Sequence, residues 1–437
     1  MKKNLVLLAL NEINFDVVRN YIHDHHLPSI KKLFDSGIVE TCSEEKYELL
    51  EPWIQWVSVH TGLRATEHGI YRLGDVIYSE NISQVFEEVE SAGYSVGAIS
   101  PMNAVNKLSK PAYFIPDPWT KTPSDGSFWS ESLSEMVSQA VNDNASQKIS
   151  LRSYFFLILG IIRFARLKNY LVYFKLAITS RGKSWRKALF LDLFLHDLHI
   201  SLLRKSECQF STLFLNSGAH IQHHYFFNAR HGKSCLNKNP EWYLADGMDP
   251  FAEMLSIYDR IIGDYLSINK SYALMISTGL SQVPYDRIKY YYRLNSHNHF
   301  LGMLGIDYID VHPRMTRDFL ITFSDAESAK IAEYKLDKIV AKTDGQRIFG
   351  EIDNRGNSLF VTLTYPNEID DGFKIASEGD EFDLSRHISF VAIKNGMHSP
   401  KGFFSSVGTS SQLPHANGMN IAAIYSLIRA HFGLKTP

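Results

Sequence analysis

Hydrophobic positions in this chain fall into short unbroken runs and longer stretches of helical spacing. Leu5 to Leu10 is continuously apolar, the pattern required of a central parallel strand buried on both faces. Asp16 to Ile22 and Pro28 to Phe34 read as helices, and Gly37 is placed to stop the second. Ile82 to Ala92 reads as a further helix ended by Gly93, followed by a strand over Ser95 to Ile99. Phe210 to Asn216 and Tyr272 to Ser277 are two more buried strands, with a long helix over Asp249 to Leu266 between them. This alternation predicts an α/β fold with a mainly parallel sheet flanked by helices. Chemistry in such sheets gathers beyond the carboxyl ends of the strands. Polar clusters stand at those places: Asn11 and Glu12, Ser217 to His224, Thr278 and Gly279, and the loop around His398.

Two stretches break the pattern. Leu151 to Ser206 reads as amphipathic helices rich in Lys and Arg, either a helical insertion packed on the core or a face for a membrane surface or partner. Its longest apolar tract, Tyr154 to Ile162, is interrupted by Arg163, Arg166 and Lys168 and is too short to span a bilayer. Further on, Phe319 to Phe323 reads as a strand and Asp325 to Val340 as a helix. Arg347 to Ile352 and Ser358 to Thr364 then read as strands around the turn that starts at Asp353, forming a small α+β insertion. A last helix over Ile421 to Phe432 is stopped by Gly433. The organisation expected is a core over 1–150, 207–304 and 388–437, with insertions at 151–206 and 305–387.

Composition narrows the class. With 45% apolar and 13% aromatic residues, the 437-residue chain has the makings of a sizeable core. A formal charge of −2 and a pI near 6.8 provide no global field for nucleic acid, and none is expected as a partner. Cys42, Cys208 and Cys235 form neither a disulfide framework nor a metal knuckle, which points to a reducing, cytoplasmic setting. The apolar run after Lys3 is too short for a signal peptide and reads as a first strand. Peripheral membrane contact through 151–206 stays open beside the cytoplasmic expectation.

The segment from Glu51 to Ile70 is the most specific. Trp53, Trp56 and Val57 lie on a helix that ends at Thr61 and Gly62, and a turn then delivers Glu67, His68, Gly69 and Ile70. It resembles the segment following the nucleophile in the alkaline phosphatase-like superfamily, which includes type I phosphodiesterases, nucleotide pyrophosphatases and sulfatases. The resemblance covers about two thirds of the chain in scattered blocks. It implies a site at the strand ends where Asp and His ligands hold paired divalent metals beside a Ser or Thr nucleophile.

Several of those positions are altered here. Asn11 stands where the first Asp ligand belongs, with Glu12 beside it as a substitute carboxylate or simply a cap. Counting back from Thr61 and Gly62 puts the nucleophile near Glu51 or Pro52, neither of which is a hydroxyl. Glu51 is a candidate ligand, base or attacking carboxylate, or a carboxylate favoured by a helix N-terminus. Ala219 takes the next Asp position and His223 the matching His, with His220 and His224 crowding the same turn. Thr278 and Gly279 replace an Asp-His pair, while His398 matches the last isolated His. The candidate site is therefore Asn11, Glu12, His223 and His398 for metal, with Glu51 and His220 for catalysis. It suits one divalent ion, zinc or manganese, rather than two. His297 and His299, and Arg314 and Arg317, are additional polar clusters that read equally as ligands or as solvated loops.

Two functions compete at this stage. One is a divergent hydrolase or transferase acting on a phosphate or sulfate ester, its substrate a small molecule or a glycan- or lipid-linked ester. The other is a non-catalytic relative that uses the cleft to bind a ligand or partner, at a membrane or a surface-polysaccharide assembly.

Overall fold

The computed structural model describes residues 4–142, 150–232, 237–268, 270–314, 317–377, 379–409 and 417–435; Cys235 lies outside them. Two compact units divide the chain. The first is built on Met1–Ala140, Ile149–Pro284 and Gly396–Pro437, and the second on Tyr285–Asn395.

In the first unit, the unbroken apolar run becomes β1 (Asn4–Leu10), whose residues from Leu5 onward are all buried. Helices α1 (Phe15–Asp24) and α2 (Pro28–Asp35) lead to β2 (Val39–Cys42). After α3 (Pro52–Thr61) come β3 (Val96–Ile99), β4 (Tyr113–Ile115), β5 (Phe210–Leu215) and β6 (Tyr272–Ser277). Strand β1 pairs in parallel with β5 on one side and β6 on the other. Beyond β5 the parallel order continues through β3 to β4. Beyond β6 the strand Lys401–Val407 runs antiparallel, next to β2 and the short strand Met419–Asn420, which completes an eight-stranded sheet. The mainly parallel sheet is thus present, with one antiparallel member that periodicity does not disclose.

Helices cover both faces. Leu5, Leu7 and Ala9 pack with Trp56, Val59, Phe86 and Ile428, so α3 and the helices Val85–Ser91 and Ala423–Phe432 close one side. On the other side, the helix Pro250–Ser267 packs against α2 and β6. Burying each such Leu, Ile or Phe contributes about 1.5–3 kcal/mol. The helix expected from Ile82 starts only at Val85, because the Gln84 N–H donates to Glu87 Oε2 at 2.9 Å and caps it there. Helix α3 stops at Gly62, which takes φ 76° against the Tyr425 ring, where a Cβ would come within 2.5 Å.

The Leu151–Ser206 stretch forms three helices, Leu151–Phe164, Tyr170–Ile178 and Ser184–Ser206. The first two pack on the third.

The second unit has its own core around Phe300, Phe319, Ile321, Leu336 and Val361. A four-stranded antiparallel sheet orders Glu351–Asn354, Ser358–Thr362, Asp318–Thr322 and Asp310–Pro313, with the helix Ala326–Asp337 packed on it. The strand expected at Arg347 begins at Glu351 instead. The preceding residues are tied elsewhere: Ile348 N–H donates to Ile339 O at 3.0 Å and Gly350 N–H to Thr364 Oγ1 at 2.6 Å.

Candidate metal centre

Parallel pairing fixes what stands at the head of the sheet. Leu10 is in register with Leu215 and Ala9 with Ser277, so Asn11 and Asn216 emerge side by side and Thr278 stands one residue earlier, level with Leu10. The Asn11 N–H donates to Leu215 O at 3.1 Å and the Glu12 N–H to Thr278 O at 2.9 Å. Held between these strands, Glu12 adopts φ 63°. That left-handed conformation costs a residue with a Cβ about 1–2 kcal/mol, the kind of strain that persists only where surrounding contacts enforce it. Glu12 is buried at 1% exposure, so strain and desolvation are both borne by this carboxylate.

Its contacts show what offsets them. Glu12 Oε2 lies 3.2 Å from Nε2 of His223 and 3.2 Å from Nε2 of His398. Gln282 Nε2 donates to the same oxygen, and Asn11 Nδ2 donates to Oε1 at 3.0 Å. Gln222 Nε2 donates to the Glu12 carbonyl at 2.8 Å. Asn11 is fixed in turn: its amide also donates to Asn216 Oδ1 at 2.8 Å, and its Oδ1 accepts the Trp56 indole N–H at 2.8 Å. Burial pushes the Glu12 carboxyl up, but the His398 and His223 imidazoles outweigh that and hold it well below the usual carboxylate range. A buried anion therefore stands between two imidazoles.

The rings come from separate parts of the chain. His223 lies on the helix Ser217–Tyr225 that follows β5, and His398 near the end of the strand Ile388–Ser399. Their centroids are 5.2 Å apart, and their side chains are 19% and 11% exposed while that of Glu12 is 2% exposed, so the cluster is open on the imidazole side. Gly396 permits this approach, since a Cβ there would come within 2.7 Å of the Gln222 carbonyl oxygen.

One donor atom from each of Glu12, His223 and His398 lies within 4.8 Å of the others, a grouping that could hold a metal ion. The donor chemistry fits zinc. Two imidazole nitrogens and one carboxylate oxygen form a three-ligand set that leaves a fourth position open. With Zn–N and Zn–O bonds of about 2.0–2.2 Å, neighbouring tetrahedral ligands stand about 3.3–3.5 Å apart, close to the 3.2 Å from Glu12 Oε2 to each imidazole nitrogen.

The remaining candidates are placed as follows. Asn11 stands behind Glu12 with both amide atoms engaged, so it positions the carboxylate. Glu51 caps α3 with its backbone, and its carboxylate lies 3.7 Å from His398 Nδ1, on the outer edge of that ring. His220 is drawn elsewhere: its Nε2 is 3.2 Å from Ser184 Oγ, and burial lowers its pKa to about 4. The place where the sequence resemblance would put an Asp-His pair is packed shut. Thr278 Oγ1 accepts the Phe403 N–H at 2.8 Å, and Gly279 lies against the Trp56 indole, where a Cβ would sit 3.3 Å away. His68 holds its turn by accepting the Ile70 N–H at 3.0 Å. In the second unit, His297 packs edge-on to Phe319 and His299 beside His387, while Arg317 stacks on Tyr291 and donates to Leu363 O. Arg314 there bonds through its backbone to Asp318 O at 2.7 Å.

Four residues of the site escape sequence reasoning. Gln222 has the signal of adjacency to His223; Gln282, Asn216 and the indole N–H of Trp56 have none.

No family model matches the chain, and no curated protein does. Solved structures do. Phosphonoacetate hydrolase from Sinorhizobium meliloti 1021, bound to phosphonoformate, aligns over 98% of this chain and 96% of its own at 13% identity and TM-score 0.45. Murine ectonucleotide pyrophosphatase/phosphodiesterase 5 aligns over 100% and 96% at 12% identity and TM-score 0.45. Alkaline phosphatase from the Antarctic bacterium TAB5 aligns over 100% of both chains at 10% identity and TM-score 0.42. All three are alkaline phosphatase-like proteins, the group that the Glu51 to Ile70 segment resembles. Likeness at this level assigns no residue a role.

Proposed function

We propose that the protein is a metal-dependent hydrolase or transferase of a phosphate or sulfate ester, holding one divalent ion on Glu12, His223 and His398. The observation that carries this reading is the convergence of two imidazole Nε2 atoms on one buried carboxylate oxygen, each at 3.2 Å, from three separate strand-end segments. Such an ion supplies Lewis acidity toward an ester oxygen and lowers the pKa of water at the open position. The two nitrogens favour zinc, with manganese the alternative.

The chain's own groups do the rest. Asn11 and Gln282 hold the two oxygens of Glu12, so the carboxylate cannot swing away. Glu51, on the outer edge of His398, is the second carboxylate beside the cluster and would accept the proton of an attacking water through one bridging water, in a site where no Ser or Thr stands at the expected nucleophile position. Its carboxylate is 33% exposed, which keeps it within reach of solvent and substrate. Small esters, or esters on a glycan or lipid, are the substrate class that suits an open, partly exposed cluster.

A non-catalytic binding role is the second reading, favoured by the engagement of Thr278 Oγ1 in strand pairing at the place where a second metal site would need ligands. One experiment separates the two. Metal content per chain is measured after equilibration with zinc or manganese, and turnover of nitrophenyl phosphate mono- and diesters and sulfate is measured for the wild type, His223→Ala and His398→Ala. One ion per chain with turnover, both lost in the variants, supports the hydrolase. A bound ion without turnover leaves the binding role, and no bound ion overturns the metal centre.

A further inference from the structure

The helices of Leu151–Phe164 and Tyr170–Ile178 carry apolar side chains on two faces, one packed on the protein and one left in solvent. In the first helix, Ser153 and Phe164 are buried, and Gly160 lets the helix settle on Phe194, whose ring a Cβ would meet at 2.8 Å. The opposite face exposes Phe155, Ile158 and Ile162 at 58%, 56% and 66%. In the second helix, Tyr173 and Leu176 are buried, while Leu171, Phe174 and Ile178 are exposed at 83%, 65% and 62%. These triplets recur at spacings of three and four, the geometry of one helical face. Six large apolar side chains more than half exposed on two neighbouring elements are unusual for a surface that stays in water.

The turn between the helices is clamped in this arrangement. Arg166 and Lys168 both turn inward to the buried Asp264, which also meets His196 Nε2 at 3.0 Å. The Arg166 N–H and the Asn169 side chain donate to the buried Asp197 at 2.9 and 2.7 Å. Leu167, between the two inward cations, is left 88% exposed. Its exposure is thus enforced by two buried carboxylates.

Charge selects the occupant. From Leu151 to Leu191 the sequence has nine Lys and Arg and no Asp or Glu; Arg152, Arg166, Lys168 and Arg186 are paired with Glu135, Asp264 and Glu253, which leaves five to set the charge of this face. Arg163 and Lys175 flank the apolar face and make no ion pair among the described residues. Two copies of this chain meeting through the face would bring like charges together, whereas an anionic bilayer neutralises them and takes up the apolar side chains. No helix among the described residues is long and apolar enough to cross a membrane, so the helices can lie only along its surface.

We propose that this face, Phe155 to Ile178, docks the protein on the surface of an anionic lipid bilayer. The test is flotation of the full chain with phosphatidylcholine vesicles that contain or lack phosphatidylglycerol. Two double variants accompany it, Leu171→Glu with Phe174→Glu and Arg163→Glu with Lys175→Glu, with melting temperature as the check on folding. The wild type floats only with the anionic vesicles. The apolar double variant stays at the bottom, and the charge variant binds at least tenfold more weakly, at about fivefold per basic residue removed. Flotation persists in His223→Ala, because docking does not depend on the metal centre. A wild type that fails to float at low salt, or that floats equally with neutral vesicles, overturns the proposal. So does a wild-type dimer in sedimentation that the apolar double variant converts to monomer.

Discussion

Replacing Glu12 with glutamine keeps the shape of the side chain and removes its charge. The Asn11 and Gln282 amides both donate to this carboxylate, so either orientation of the substituted amide leaves one donor facing another donor. A buried unsatisfied donor costs about 1–3 kcal/mol, so the metal-free variant should melt a few degrees below wild type. The larger effect falls on the ion. Four-ligand zinc sites contribute about 10–16 kcal/mol, or about 3–4 kcal/mol per ligand, so losing one ligand weakens binding roughly 100- to 1000-fold. In wild type, zinc at 100 times its Kd adds about 2.7 kcal/mol of stability; at the same concentration the variant should gain about 0.4 kcal/mol or less. Calorimetric titration gives the two Kd values, and melting curves with and without zinc give the stabilisation. If the variant binds zinc within about threefold of wild type, or if wild type gains no stability from zinc or manganese, Glu12 is not a ligand and the cluster is only a buried ion-pair network.

Two further predictions test how the sheet is held. A Cβ at Gly402 would come within 2.0 Å of the Gly279 carbonyl oxygen, so Gly402→Ala must push the strand Lys401–Val407 off β6; a loss of about 3 kcal/mol is expected in urea unfolding, and a loss under about 0.5 kcal/mol would refute the close approach. His60 is buried among Trp56 and Phe86, and burial lowers its pKa to about 3. Between about pH 6.5 and 3 the unfolded chain binds a proton there that the folded chain does not, so stability falls with pH by up to about 1.4 kcal/mol per unit. His60→Leu should flatten the fall of the urea midpoint between neutral and acid pH, and parallel wild-type and variant profiles would show that His60 does not contribute.

What the sequence by itself determined is what depends on local pattern. The apolar runs that became β1, β5 and β6 are legible because a strand buried on both faces has no room for polar residues, and α3 ends where Gly62 can take a left-handed turn. The His at 223 and 398 and the acid at 12 could be singled out because each follows a strand or matches a motif. Their meeting could not be read, since it depends on the register that sets Leu10 beside Leu215 and on a strand almost four hundred residues away in sequence. Only the tertiary structure separated His223, on the side of its helix facing Glu12, from His220, which faces Ser184. It alone recruited Gln282 and Trp56, residues whose identity announces core or solvent until a distant carboxylate or amide is placed beside them. It also decided the fate of the basic helices. They carry apolar residues on more than one face, but which face meets the protein was settled by Asp264 drawing Arg166 and Lys168 inward and leaving Leu167 in solvent.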